Sequence, residues 1–404
     1  MKILLISQYY KPVKSAATKR VARFAEYFSS NGHQVTILTG TASYPTGIIP
    51  KEYRGKLWCK EKEGEINIIR TYEYPTSNEG FLKRILNYVS FMVSSSITVL
   101  FIRRHDVVIV SSPSFFSGVA GLTAKFFKRS RFIFDVRDLW PDSAIDLGMA
   151  KPESLPAKIL YWLEKVYYKK ATKIMVATPS IKEHLLGEKW PENKIEVLIN
   201  SVDTDKFQTS KINRHDYGFT DKDFILTYTG THSGVQDLKT LIKAATLLKD
   251  NEDIKFILVG EGETKHKLQE ETEKLKLKNV TFWPQKDQQE IIKIINFSDV
   301  GIISLANIPI FQEAFPVKSS EYFACAKPVI AAIGGEMAKL ISQYEAGIVV
   351  RSGHPEDKAK AINKLYKDRQ ALQKMGQNAR KLAEDFFSDQ IFYQKLDKIT
   401  KELN

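Results

Sequence analysis

Short apolar runs bounded by turn residues alternate along this chain with stretches of helical periodicity, the pattern of parallel sheets covered by helices on both faces. The runs fall into two sets. The first comprises Ile3 to Ile6, Val35 to Leu38, Val107 to Val110, Phe132 to Phe134, Ile174 to Val176 and Ile195 to Leu198. Between its first two members, Val21, Phe24, Ala25 and Phe28 recur at helical spacing, and Gly32 ends the helix predicted over Thr18 to Ser30. The second set restarts at Phe224 to Tyr228 and continues through Phe256 to Val259, Val280 to Phe282, Val300 to Ile303, Val329 to Ala332 and Ile348 to Val350. A polar segment from Asp203 to Asp223 separates the two. The expectation is an α/β protein of two domains, residues 1–203 and 204–384, followed by a C-terminal helix within 385–404 that packs back on the first domain.

At 404 residues the chain exceeds what one ordinary core supports, which suits two domains of about 200 residues each. Its 43% hydrophobic and 26% charged residues are those of a folded globular chain. The net charge of +13 favours anionic partners: nucleic acid, nucleotide diphosphates or an acidic membrane leaflet. With no RNA-binding signature, zinc-ligand spacing or clustered aromatic and basic strand face, nucleic acid is set aside. Cys59 and Cys325 stand far apart without metal-ligand spacing, as expected of a reducing compartment. Met1 runs directly into Lys2 to Ile6, leaving no room for a signal peptide, so a cytoplasmic location is expected.

Candidate chemistry concentrates in Glu313-Ala314-Phe315-Pro316-Val317-Lys318-Ser319-Ser320-Glu321, two carboxylates around a proline just after an apolar run. The segment falls between a strand and a helix predicted from Ser320, hence at a strand's carboxyl end, where open α/β sheets bind ligands. On one straight helix, eight positions would separate the carboxylates by roughly 12 Å along the axis. A break at Pro316 instead brings Glu313 back over the helix start. Glu321 can then accept both hydroxyls of a ribose, while a diphosphate faces the N–H groups of Val317 to Ser320 and the charge of Lys318. The loop from Thr229 to Gly234 also joins a strand to a helix, and its glycines let backbone N–H groups approach phosphate oxygens. The glycine-rich dinucleotide fingerprint is missing after the opening strand, which argues against an NAD enzyme.

These elements, together with Ile199 to Phe207, Val259 to Glu263, Lys327 to Ala331 and Gly32 to Thr36, resemble the retaining glycosyltransferases of family 4 over nearly the whole length. Asp135 to Pro141 and Asn87 to Phe91 further resemble the WbuB-like branch that builds bacterial O-antigen and capsule. The resemblance implies the GT-B fold, two facing Rossmann-like domains, with the activated sugar on the second and the acceptor on the first. It adds Gly230, Thr231, His232 and Ser319 to Lys318 and Glu321 as donor-binding residues, with Glu313 as a catalytic carboxylate. Many relatives carry an Arg and a Lys near the places of His232 and Gln236, so charge compensation here falls to helix N-termini, Lys318 and Lys265.

In the first domain, Ser15, Ala16 and Ala17 keep a slim loop that relatives bring near the transferring sugar or acceptor. Lys14, Lys19 and Arg20 can meet an acceptor phosphate there; the alternative is a solvated helix face. Arg137 stands where many relatives have a His and joins the acceptor set, leaving Asp138 as the catalytic base that takes the acceptor hydroxyl's proton, with Arg137 keeping it ionised. A helix-capping role for Asp138 and Asp142 competes with that reading. Two Asp-x-Asp triplets, at Asp203 and Asp221, lie in the polar junction and are read as solvated, so neither a metal nor another cofactor is expected.

The segment from Phe81 to Arg104 has an apolar portion of about 18 residues, at the lower limit for a membrane span, and contains Asn87 and four serines. Its basic pairs, Lys83-Arg84 and Arg103-Arg104, suit a helix lying on an anionic leaflet; packing against the first sheet is the alternative. The resemblance thus implies transfer of a sugar from a nucleoside diphosphate to a polyprenyl-diphosphate-linked acceptor at the inner face of the cell membrane. UDP-N-acetylhexosamine or UDP-N-acetylfucosamine is the favoured donor. With no evident enzymic nucleophile, retention implies a same-face path assisted by the leaving phosphate. Two rivals stand beside it, a nucleotide-sugar epimerase on the same plan and a non-catalytic, membrane-associated nucleotide-binding protein.

Overall fold

A computed structural model describes the chain except for residues 14, 45, 77–80, 113, 147–150, 309–312 and 404. The chain divides into two compact units, Met1–Leu198 with Lys395–Asn404, and Ile199–Gln394.

The first unit is organised on an eight-stranded sheet of β1 (Lys2–Ile6), β2 (Gln34–Thr39), β3 (Trp58–Glu63), β4 (Ile66–Thr71), β5 (Val107–Ser111), β6 (Arg131–Val136), β7 (Lys173–Val176) and β8 (Ile195–Val197). Their order is β3-β4-β2-β1-β5-β6-β7-β8. Every neighbour pair is parallel except β3 with β4. The interior strands are buried on both faces, which is why they read as unbroken apolar runs. The β3–β4 hairpin was not legible in that way. Trp-Cys-Lys-Glu-Lys-Glu is a charged, half-exposed edge strand with no apolar run, and pairing to β4 is what makes it a strand. The first helix begins at Ala16 rather than Thr18, because the Ser15 hydroxyl caps it by accepting the Thr18 N–H at 3.1 Å.

The second unit carries a wholly parallel six-stranded sheet of β9 (Phe224–Thr229), β10 (Ile254–Val259), β11 (Val280–Trp283), β12 (Val300–Ser304), β13 (Val329–Ala332) and β14 (Gly347–Val350), in the order β11-β10-β9-β12-β13-β14. Connection order reverses between β9 and β12 here, and between β1 and β5 in the first unit. At such switch points the loops leaving two adjacent strands diverge and open a crevice.

The helix Val317–Ala324 follows β12 and is bolted to the switch point by Tyr322. That ring lies on Gly301, where a Cβ would come within 2.5 Å of it. Its hydroxyl accepts the Thr229 N–H at 2.8 Å and lies 3.0 Å from Thr229 Oγ1. The segment entering the unit is held by Val202, which bridges to Ser388 and donates its N–H to the Phe387 carbonyl at 2.7 Å. The last helix, Asp389–Lys401, carries the chain back to the first unit, where Lys398 pairs with Glu196 at 3.5 Å and Lys173 pairs with Glu402.

Candidate active site

In the second unit, β9 ends at Thr229 and the chain turns through exposed Gly230 and Thr231. Tyr228 shapes this turn from beneath, its hydroxyl donating to the Thr231 carbonyl at 2.7 Å and to Gln236 Oε1 at 3.1 Å. Lys318 reaches the same place from the first turn of its helix. Its Nζ donates to Gln236 Oε1 at 2.7 Å and stands 3.8 Å from the centroid of the Tyr228 ring. Burial lowers the Lys318 ammonium to a pKa of about 7, and the nearby Glu321 carboxylate opposes the shift. Gln236, read in the sequence as a lost basic residue, therefore holds the cation that replaces it.

The His232 ring is fully enclosed, between Tyr228 and Phe282, and burial with the fields of Lys265 and Lys318 lowers its pKa to about 4. Its backbone N–H is spent on the Glu261 carbonyl at 2.9 Å, so neither ring nor amide is presented to a ligand as expected. Gly262, with φ +156°, lets the next turn close over it: a Cβ there would fall 2.2 Å from the His232 carbonyl oxygen. Lys265 is likewise committed, donating to the Gly260 carbonyl at 2.9 Å, to Glu261 Oε1 at 2.7 Å and to the Trp283 carbonyl at 3.2 Å. Of the two lysines expected to serve a ligand, Lys318 is the one whose hydrogen bond goes to a side-chain amide and not to backbone carbonyls.

Glu313 also departs from its expected place. Pro316 does precede the helix, which begins at Val317 and not at Ser320. The Glu313 carboxylate, however, lies against Gly335, the first residue of a different helix, Gly335–Gln343, where an added Cβ would meet Oε2 at 2.3 Å. A helix start offers free N–H groups and a positive dipole end to a carboxylate. Glu313 itself is exposed, Glu321 is buried at 8% exposure, and Ser319 is fully enclosed, its hydroxyl unpartnered among the described residues.

In the first unit, Ser15 is the half-buried cap, Ala16 is exposed beside it and Lys19 is exposed on the first helical turn. Lys14 lies outside the described residues. Arg20 departs from both readings of the sequence. It is fully buried and binds Asp135 bidentately, Nη2 to Oδ1 at 2.6 Å and Nε to Oδ2 at 2.8 Å, with Ser111 Oγ donating to Oδ2 at 2.7 Å. Such a pair holds β6 to the first helix, so Arg20 leaves the acceptor set.

Arg137 is half-buried, its backbone N–H donating to Ser112 Oγ at 3.0 Å, and burial together with Arg20 lowers its pKa. Asp138 is exposed at the end of the β6 loop. The protein packed around it raises its carboxyl pKa, and the Arg137 guanidinium works against that shift, as expected of a neighbouring cation.

Sequence reasoning missed a buried polar cluster at the carboxyl edge of the first sheet. Glu73, wholly enclosed, accepts Gln8 Nε2 at 3.0 Å and both the N–H and the hydroxyl of Ser43, at 3.2 and 3.1 Å. Gln8 also donates to Asn87 Oδ1 at 2.6 Å, and burial raises the Glu73 pKa. These residues come from four distant segments, and no spacing could have announced them. No group of three or more metal-ligating side chains occurs among the described residues.

Two family models match this arrangement, Glycosyltransferase Family 4 over residues 17–206 and Glycosyl transferases group 1 over residues 209–382. The chain therefore carries a family 4 domain followed by a group 1 domain, the two halves of a GT-B glycosyltransferase. Among relatives, it is 24% identical over 363 residues to the capsular polysaccharide biosynthesis glycosyltransferase CapM of Staphylococcus aureus, spanning 86% of this chain and 92% of that one. WcaI of Escherichia coli strain K12, provisionally named a colanic acid biosynthesis glycosyl transferase, is 23% identical over 312 residues, 75% of this chain and 76% of its own. Anabaena HepE, solved in complex with UDP, superposes with a TM-score of 0.74 at 18% identity, covering 100% of both chains, a likeness of fold.

Proposed function

We propose that the protein transfers a sugar, with retention, from a UDP-sugar to a lipid-linked acceptor in the assembly of a capsule or O-antigen, in the manner of the WbuB-like branch. The observation that carries this reading is Lys318, a lowered-pKa cation held by a neutral amide and an aromatic face beside the exposed Gly230-Thr231 turn. An incoming diphosphate adds its charge beside an ammonium whose hydrogen bond goes to a neutral amide, and the ammonium then stabilises it as leaving group. Glu321 holds the ribose hydroxyls, with Thr231 beside it; Ser319, fully enclosed and with its N–H donated to the Pro316 carbonyl at 3.0 Å, leaves the donor set as His232 does. Glu313 orders the loop at the Gly335 helix and faces the sugar.

In the first unit, Asp138 takes the proton of the acceptor hydroxyl as the new glycosidic bond forms, and the UDP–sugar bond breaks with its electron pair on the diphosphate. Departure and attack on one face give retention without an enzymic nucleophile. Ser15, Ala16, Lys19 and Arg137 line the acceptor side. Similarity to proteins named for capsular polysaccharide and colanic acid synthesis supports the polymer class, and HepE solved with UDP supports the donor class. N-acetylated sugars, UDP-N-acetylhexosamine or UDP-N-acetylfucosamine, are the donors to try first.

Incubation with labelled UDP-sugars, with and without polyprenyl-diphosphate-linked acceptor, is the test. Acceptor-dependent product with the donor's anomeric configuration supports the proposal. Conversion of the donor alone identifies an epimerase, and unchanged donor identifies a binding protein. Attachment to the inner membrane face is part of the same reading: the protein sediments with anionic liposomes at low salt and is released at high salt. Replacing Lys83, Arg84, Arg103 and Arg104 with Gln abolishes that attachment.

A further inference from the structure

The helix Phe81–Phe101 buries Phe91 and Val99 in the core of the first unit and carries a second apolar face on its outside. Its polar residues turn toward the domain: Asn87 Nδ2 donates to the Tyr74 carbonyl at 2.7 Å, Ser90 Oγ accepts the Tyr74 N–H at 2.7 Å, and Thr98 Oγ1 lies 3.2 Å from Thr71 Oγ1. Its apolar residues Leu86, Val93, Ile97 and Phe101 face outward, Phe101 at 85% exposure. By length and composition the stretch Leu82–Phe101 could cross a membrane. As the crossover between β4 and β5, with those hydrogen bonds, it is instead part of the domain.

The outward face does not stand alone. With Leu57 and Trp58, exposed on the edge hairpin at 74% and 58%, it walls a groove of about 1280 Å³. Lys2, Lys60, Arg103 and Arg104 line the same groove, and the carboxylate among the lining residues, Glu61, is already engaged by Arg70 at 2.9 Å. Lys2 opens β1 and Arg103-Arg104 lead into β5, so these cations mark the amino edge of the sheet. Trp58, opposite Thr71 at the end of β4, marks the other end of the groove, toward the carboxyl edge.

We infer that this groove binds one acyl chain of an anionic glycerophospholipid, with the phosphate at Lys2, Arg103 and Arg104 and the chain running up the helix face to Trp58. The inference rests on the proposed membrane attachment and deepens it from surface adsorption to a defined lipid site. The lipid is not the acceptor, because the cations sit at the edge of the sheet opposite the loops that carry Ser15 and Asp138, whereas the reacting diphosphate belongs at that carboxyl edge. The Asp106 carboxylate beside them accepts the Lys2 backbone N–H at 2.8 Å, and the side chains of Lys2, Arg103 and Arg104 make no ion pair among the described residues; an apolar channel ending in such cations suits a lipid anion better than a second copy of this basic chain.

The test reads Trp58 emission in the full-length protein with vesicles of phosphatidylglycerol carrying brominated acyl chains, using Trp58→Phe to isolate that residue's signal. The expected result is quenching several-fold greater than with brominated phosphatidylcholine, abolished in Val93→Gln/Ile97→Gln, whose changes lie on an exposed face and leave the core intact. Equal quenching by both lipids, or quenching that survives the double substitution, overturns the proposal. So does a dimer in sedimentation velocity that the double substitution dissociates, since a second copy then covers the face. Sedimentation with anionic liposomes but no Trp58 quenching defeats the groove and leaves the attachment standing; no sedimentation defeats both.

Discussion

Arg20 and Lys318 are cations on helices that serve the switch point of their own sheet, and the protein treats them oppositely. Arg20 is closed from solvent and fully matched by the Asp135 carboxylate. Lys318 is half-buried, and its hydrogen-bond partner is the neutral amide of Gln236, with the Tyr228 ring beside it. A guanidinium neutralised bidentately has little left to offer a ligand, and removing it strands a buried charge. An ammonium hydrogen-bonded to an amide keeps its charge unspent, and burial lowers its pKa by more than the nearby Glu321 carboxylate raises it. Partner chemistry, more than the presence of a basic residue, separates framework from site.

The largest effect should come from Asp138→Asn. Loss of a general base lowers turnover by about 10²–10⁴-fold while leaving the UDP dissociation constant unchanged. Steady-state kinetics beside calorimetric UDP titration check it, and equal losses in both would make Asp138 structural. Next is Arg20→Met, which leaves Asp135 buried without its cation and should destabilise the first unit by about 3–5 kcal/mol. Denaturant unfolding measures the loss, and UDP affinity at temperatures where the variant is folded should match the parent; an unaltered midpoint would erase the contrast drawn between the two cations.

Glu321→Ala sharpens the other side of the comparison. If it holds the ribose diol, UDP binding weakens by about 1.5–3 kcal/mol, with the melting curve compared to exclude misfolding. An unchanged dissociation constant would remove it from the donor set.

The smallest effect is a pH dependence. In the free protein Lys318 titrates near 7, and a bound diphosphate raises that value, so binding takes up a proton between the two. UDP affinity should therefore fall as pH rises from 7 toward 9, by no more than about tenfold per unit. Lys318→Met should flatten the profile. A parent profile that rises with pH over this interval would show that Lys318 does not meet the diphosphate.

Much of this was legible in the chain. The buried strands of both sheets announced themselves because a parallel strand covered on both faces must be apolar throughout, and Pro316 marked the helix boundary beside Lys318 and Glu321. The β3–β4 hairpin did not, since an edge strand is stabilised by pairing and can be charged. Glu313 was expected over its own helix and lies at the next one, because a loop's destination depends on what receives it.

By itself, then, the sequence determined what local rules control: the α/β alternation, the strand cores, the helix ends and the residue types available for phosphate and ribose. Only the tertiary structure decided which of those residues are free to act. His232, Lys265 and Arg20 looked as available as Lys318, and long-range packing enclosed the first, satisfied the second with three acceptors and paired the third with a carboxylate 115 positions away. A charge's worth to a ligand depends on its partners and its exposure to water, and both are set by residues remote in sequence.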